Sequence, residues 1–154
     1  MIKVDDKLWI GGSSTKLDDL SDEGIKSVLN VAQDLQGKVG WPDIEYMQIG
    51  LIDGPGNKLA IYHSAVMALA TLQSKSNTLV FCHDGGRSLA ICIMYLNLIH
   101  PSGTASTYIG GCGWDGWMRI LEERCKGLPK VHQAHKAVFD KMNWRFLSEV
   151  IGKD

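Results

Sequence analysis

The chain has 154 residues, and its scarcities narrow the reading first. There are four cysteines, Cys82, Cys92, Cys112 and Cys125, and no two form a Cys-x-x-Cys pair or stand near histidines at zinc-finger spacing. That argues against the common structural zinc sites and against a disulfide scaffold, so each thiol has to be judged alone. Long apolar runs are missing as well. The longest, Leu89 to Leu96, falls far short of the roughly 20 residues a membrane helix needs. Charge of one sign is also lacking: a net charge of -1 gives no bulk attraction to nucleic acid or to an anionic membrane. An anionic substrate would have to be held by a local site. The N-terminal stretch Met1-Ile2-Lys3-Val4-Asp5-Asp6-Lys7 carries charges where a signal peptide would need an apolar core, so a cytoplasmic location is expected.

What is present fits one globular domain over residues 1–154. Hydrophobic residues make up 45% and charged residues 21%, as in folded soluble proteins rather than disordered ones. Neither a repeat nor a low-complexity linker marks a boundary. Lys7 to Ile10 reads as a short strand stopped by Gly11-Gly12-Ser13-Ser14, and Leu17 to Glu23 as a polar helix ended by Gly24. Ile25 to Val31 and Ile44 to Leu51 read as strands, the second closed by the turn Asp53-Gly54-Pro55-Gly56-Asn57. From Lys58 to Ser74, Ile61, Ala65, Ala68, Leu69 and Leu72 recur at helical steps. Thr78 to Phe81 is β-prone, and Ser88 to Ile99 is a mostly apolar helix that must be buried. Trp114 to Cys125 and His132 to Ile151 supply two more helices. Alternating strands and helices predict an α/β domain, with a mostly parallel central sheet and helices on both faces. Such sheets carry their sites at the carboxyl ends of the strands.

One segment concentrates chemistry: Val80-Phe81-Cys82-His83-Asp84-Gly85-Gly86-Arg87-Ser88. A buried strand passes two glycines and opens a helix, which turns several backbone N–H groups and a helix N-terminus toward one point. That is an anion site. Glycine lets the backbone curl closely around the anion. Cys82, at the mouth of the loop, would feel the helix dipole and a guanidinium, both of which favour the thiolate. Arg87 can meet two oxygens of a phosphate in a planar fork, which lysine cannot do.

This segment resembles the signature loop of the protein tyrosine and dual-specificity phosphatases, a cysteine followed by a glycine-containing loop and Arg-Ser. The resemblance continues outside it. Leu8-Trp9-Ile10-Gly11-Gly12 is similar to the family's opening strand and Gly24 to Ala32 to its second. Ile49-Gly50-Leu51-Ile52-Asp53 is similar to the strand that ends in the general-acid aspartate. Pattern similarity covers roughly residues 7 to 100. The family spaces cysteine and arginine one residue further apart than this chain does, and it usually has histidine where Phe81 stands. The shorter spacing also resembles the Cys-x-x-Gly-x-Arg loop of rhodanese sulfurtransferases.

The family resemblance implies hydrolysis of phosphate monoesters through a cysteinyl-phosphate, in a phosphotyrosine protein phosphatase-like fold without metal or organic cofactor. It implies Cys82 as nucleophile and Asp53 as general acid. Arg87 and the loop residues His83, Asp84, Gly85 and Gly86 would hold the phosphate, and Ser88 would donate to the sulfur when it leaves. The expected partner is a phosphorylated protein or a small phosphomonoester. Two alternatives stay open: a sulfurtransferase carrying persulfide on Cys82, and a pseudophosphatase that binds phosphate without turnover. Elsewhere, Cys92 reads as core; Trp114, Trp117 and Met118, which follow the glycine-rich stretch Gly110-Gly111-Cys112-Gly113, read as core packing, with a substrate-facing flap as the alternative. His132 and His135 read as surface or capping residues.

Overall fold

A computed structural model describes residues 1–35, 41–100 and 113–152. Five strands, β1 (Ile2–Asp5), β2 (Leu8–Gly11), β3 (Ile25–Ala32), β4 (Glu45–Leu51) and β5 (Asn77–Phe81), form one sheet in the order β1-β2-β5-β3-β4. β2, β5, β3 and β4 run parallel to their neighbours, and the short edge strand β1 is antiparallel to β2. The expectation of a mostly parallel sheet holds, with β1 as an added strand ahead of the one read at Leu8. Among the described residues, six helices accompany the sheet: α1 (Leu17–Asp22), α2 (Leu59–Gln73), α3 (Gly86–Ile99), α4 (Gly113–Arg124), α5 (Gln133–Phe139) and α6 (Trp144–Ile151).

The period-two alternation of strand side chains sorts the core into two clusters. Leu8, Ile10, Leu29, Val31, Val80 and Cys82 face the large one, completed by the inner sides of α2 to α6. Trp9, Val28, Leu79 and Phe81 point the other way, toward Leu20 of α1 and Ile25. Helices therefore cover both faces, unequally. β5 and β3 lie in the middle of the sheet and read as near-continuous hydrophobic runs, as strands buried on both sides must. Each fully buried leucine or isoleucine here contributes on the order of 1.5–3 kcal/mol. α3 is buried along almost its whole length.

The C-terminal region departs from its sequence reading. His132 to Ile151 was expected as one helix, yet α5 stops at Phe139 and α6 starts at Trp144. Asn143 explains the break: its side-chain oxygen accepts a hydrogen bond from Phe146 N at 3.0 Å, capping the new helix. Asparagine offers the backbone this alternative more readily than it supports a helix interior. Met142, between the two helices, is buried.

Because β2, β5, β3 and β4 are parallel, their carboxyl ends share one edge of the sheet. Gly12, Cys82, Asp34 and Asp53 all fall just past those ends.

Candidate active site

The Cys82 loop is built by the strand-to-helix turn between β5 and α3. Cys82 N donates to Gly11 O at 3.3 Å, and Ser13 N donates to His83 O at 2.9 Å, which ties the loop to the end of β2. The Cys82 side chain is fully buried. Gly85 N and Ser88 Oγ both donate to its sulfur, at 3.1 and 3.3 Å. Two donors thus converge on one sulfur. Gly85 sits at φ 95°, a left-handed conformation that favours glycine, and α3 begins at the next residue. Gly86 is needed for another reason: a Cβ there would lie 2.5 Å from Lys130 O, so a methyl group cannot fit without moving backbone.

Arg87 is 2% exposed. One terminal nitrogen, Nη1, donates to Leu51 O at 2.7 Å and to Asp34 Oδ1 at 2.9 Å. Its buried Nε has no hydrogen-bond partner among the described residues. A buried unsatisfied donor on a guanidinium carries a desolvation cost that an anion would remove. Nη1 is held by protein on both bonds. Nε is a buried donor without a partner among the described residues.

Sequence reading missed Asp34. It lies in the turn after β3, and that turn is set by Asn30. The buried Asn30 side chain donates to Leu35 O and Tyr46 Oη, both at 2.9 Å, and accepts from Ala32 N at 2.9 Å. Gln33 N donates to Leu51 O at 3.1 Å, which joins this turn to the end of β4. The bond from Arg87 holds the Asp34 carboxyl below its usual range, against a smaller opposing effect of burial. His83 Nε2 lies 3.6 Å from the other Asp34 oxygen. An acidic residue directly past the end of a parallel strand was the available signal.

Asp53, two residues beyond Leu51, brings the sequence-predicted acid next to the carbonyl that anchors Arg87. Its carboxylate is 42% exposed, so an approaching molecule can reach it. Oδ1 is bonded to Nε2 of His135 at 3.2 Å. Here a correction is needed. His132 does cap α5, accepting from Ala134 N at 3.0 Å, but His135 is not a surface residue. It is fully buried, and its Nδ1 meets the Tyr62 hydroxyl at 2.7 Å. Burial pushes its pKa down, opposed by the bond to Asp53. The phase of α5 could have revealed this, since His135 is one helical turn before buried Phe139.

The remaining expected site residues also fall in the loop. His83 and Asp84 are exposed at its rim, and Asp84 Oδ1 accepts from Gly86 N at 3.2 Å. That amide, expected to face a phosphate, is engaged by the loop's own carboxylate. Cys92 is buried in the core, and burial pushes its thiol pKa well above the ordinary value. Cys82, Cys92 and Cys125 are free thiols. Trp114 and Trp117 are buried, the former edge-on to Phe139 with ring centroids 5.8 Å apart. Gly110, Gly111 and Cys112 lie outside the described residues. A cavity of about 450 Å³ between α2, α3 and α6, lined by Met67, Tyr95 and Val150 among others, touches none of the residues of the cysteine loop. No group of three or more His, Cys, Asp or Glu among the described residues could hold a metal ion. No helix of the described residues is long and apolar enough to cross a membrane.

No family model and no curated protein matches the sequence. Solved structures do match the fold. A mouse putative dual specificity phosphatase, solved with zinc tungstate, superimposes with a TM-score of 0.71 at 20% identity, over 97% of this chain and 90% of that one. Human DUSP28 gives 0.71 at 17% identity, over 97% and 99% of the two chains. The core catalytic domain of the PP-IP phosphatase SIW14 from S. cerevisiae, solved with citrate, gives 0.70 at 13% identity, over 98% and 90%. With near-complete coverage on both sides, the chain has the fold of the dual-specificity and protein tyrosine phosphatases.

Proposed function

We propose that this protein hydrolyses phosphate monoesters through a cysteinyl-phosphate on Cys82. The observation that carries the reading is the unpartnered, buried Nε of Arg87, held beside a loop in which two donors converge on the Cys82 sulfur. A dianionic phosphate monoester complements such a site. In the first step the Cys82 sulfur attacks phosphorus as the ester P–O bond breaks, and Asp53 gives its proton to the leaving oxygen. In the second step water attacks phosphorus, Asp53 takes a proton from it, and the P–S bond breaks to release phosphate. The Ser88 hydroxyl, 3.3 Å from the sulfur, supports the thiolate as it departs. Throughout, the bonds from Arg87 to Leu51 O and Asp34 fix the guanidinium while Nε faces the equatorial oxygens. A phosphorylated protein or a small phosphomonoester would serve as substrate.

The test is turnover of 4-nitrophenyl phosphate by the wild-type protein beside Cys82→Ser, between about pH 5 and 8, where a thiolate and a carboxylic acid can act together. Activity that disappears in the variant supports the mechanism. Equal turnover by both proteins, or none by either, refutes it. Tungstate binding without turnover would move the account to phosphate recognition alone, and thiocyanate formed from thiosulfate and cyanide would move it to sulfur transfer.

A further inference from the structure

Four side chains from three parts of the fold form a continuous hydrogen-bonded chain that ends on Asp53. Asn57 closes the base of the 52–57 loop: its Oδ1 accepts from Ile52 N at 2.8 Å, and its Nδ2 donates to Ile52 O at 2.9 Å. Nδ2 also donates to the Tyr62 hydroxyl, at 3.2 Å. Tyr62, on α2, meets His135 Nδ1 at 2.7 Å, and His135, on α5, meets Asp53 Oδ1 at 3.2 Å.

The donor directions follow from the chemistry of the two ends. An ionised carboxylate only accepts, so His135 Nε2 carries the proton toward Asp53. A neutral imidazole then has Nδ1 as an acceptor, which the Tyr62 hydroxyl fills, and the Tyr62 oxygen in turn accepts from Asn57. Every donor points the same way along the chain, and every member is satisfied. Burial favours this neutral imidazole. Its other charged or titratable neighbours, His132 and Arg87, push in the same direction, and only Asp53 opposes. Lys136, on the same helix, is directed away, pairing with Asp115 at 2.9 Å.

Resting on the reading of Asp53 as the general acid, we infer that His135 is a positioning residue for it: the imidazole holds Oδ1, so the proton to be transferred sits on Oδ2. Tyr62 fixes the tautomer and ring orientation of His135, as an orienting partner does for other paired histidines. The acid-bearing loop is thereby tied at its base by Asn57 and at its tip by α5. Asp53 stays half-exposed toward the leaving group while its support is fully buried. Nothing in the local sequence around Asp53 points to a residue 82 positions away.

Leaving-group dependence tests the inference. A good leaving group such as 2,4-dinitrophenol needs little protonation, whereas phenol needs a well-placed acid. His135→Phe is expected to lower kcat/KM on phenyl phosphate by about 10- to 100-fold, a part of the roughly 100- to 10,000-fold that a general acid contributes. On 2,4-dinitrophenyl phosphate the loss should stay below about threefold. In the Asp53→Asn background the same change should have no further effect, because the acid it positions is already gone. His135→Gln, which keeps a donor, should recover part of the loss. If His135→Phe fails to fold, Tyr62→Phe removes only a hydroxyl and should show the same selective loss on phenyl phosphate. Equal losses on both substrates, or a full additional loss in Asp53→Asn, would overturn the positioning role while leaving the phosphatase reading intact. Absence of Cys82-dependent turnover on 2,4-dinitrophenyl phosphate would overturn both.

Discussion

Arg87→Lys isolates what the guanidinium geometry contributes. Lysine keeps the positive charge and can satisfy Leu51 O or Asp34, so the two bonds now made by Nη1 are partly replaceable. Its single nitrogen cannot at the same time supply a second donor where Nε lies. A hydrogen bond to a charged group is worth about 1.5–3 kcal/mol. Losing one should weaken oxyanion binding by about 10- to 150-fold. The stability of the free protein should change much less. The variant loses a contact to Asp34 but also removes a buried donor whose desolvation costs about 1–3 kcal/mol. Isothermal titration with tungstate reads the affinity, and thermal melting in phosphate-free buffer reads the stability. A tungstate affinity within threefold of wild type in a folded Arg87→Lys protein would refute the assignment of Nε as an anion donor.

Two further outcomes follow from named contacts. Gly86→Ala would put a methyl carbon 2.5 Å from Lys130 O; overpacking of this kind costs about 1–3 kcal/mol, which lowers Tm by about 2–12 °C in a chain of this size. A Tm within one degree of wild type would contradict the close approach. His135 and His63 are both shifted down by burial, so their folded pKa values lie below the ordinary 6.5. Above pH 6.5 both are neutral in either state and cost nothing. As the pH falls from there through the folded values, the unfolded chain binds more protons and stability declines. Asp34, also depressed, contributes stability that is lost only at lower pH, below the ordinary aspartate value of 3.8, and its exposure keeps that contribution small. Urea denaturation at pH 7.5 and 5.5 should therefore show a drop for wild type that is shallower in His135→Phe, and parallel drops would refute the histidine's part in it.

The sequence disclosed what is local. The loop from Cys82 to Ser88 is one contiguous segment, and the bonds that shape it span short separations: Gly85 N to the Cys82 sulfur is three residues, and Ser88 Oγ to the same sulfur is six. Strand and helix periods are equally local, which is why β2 to β5 and α1 to α4 could be read to within a few residues, while the short edge strand β1 was not. The break between α5 and α6 escaped because one asparagine cap outweighed an apolar pattern that continued across it.

The supporting residues of the site are not local. Arg87 reaches Leu51 across 36 positions and Asp34 across 53, while Asp53 and Tyr62 reach His135 across 82 and 73. No spacing rule joins such pairs; only the topology does. With β2, β5, β3 and β4 parallel, each crossover returns the chain so that the turns after Gly11, Phe81, Ala32 and Leu51 open on one edge. A polar residue in any of those turns can then meet the cysteine loop whatever its distance in sequence. Asp34 does so directly, and Asp53 lies two residues past the carbonyl that anchors Arg87. α5 belongs to no strand end. It joins because the segment before it packs on the loop's glycines, Lys130 O against Gly86 and Pro129 against Gly85. The same glycines that shape the cysteine loop thus admit the chain that carries His135. A larger residue at Gly86 would displace Lys130 and, through it, the support of Asp53. Gly86→Ala should for that reason lose more activity on phenyl phosphate than on 2,4-dinitrophenyl phosphate, and a loss equal on the two substrates would separate the packing of this segment from the placement of the acid.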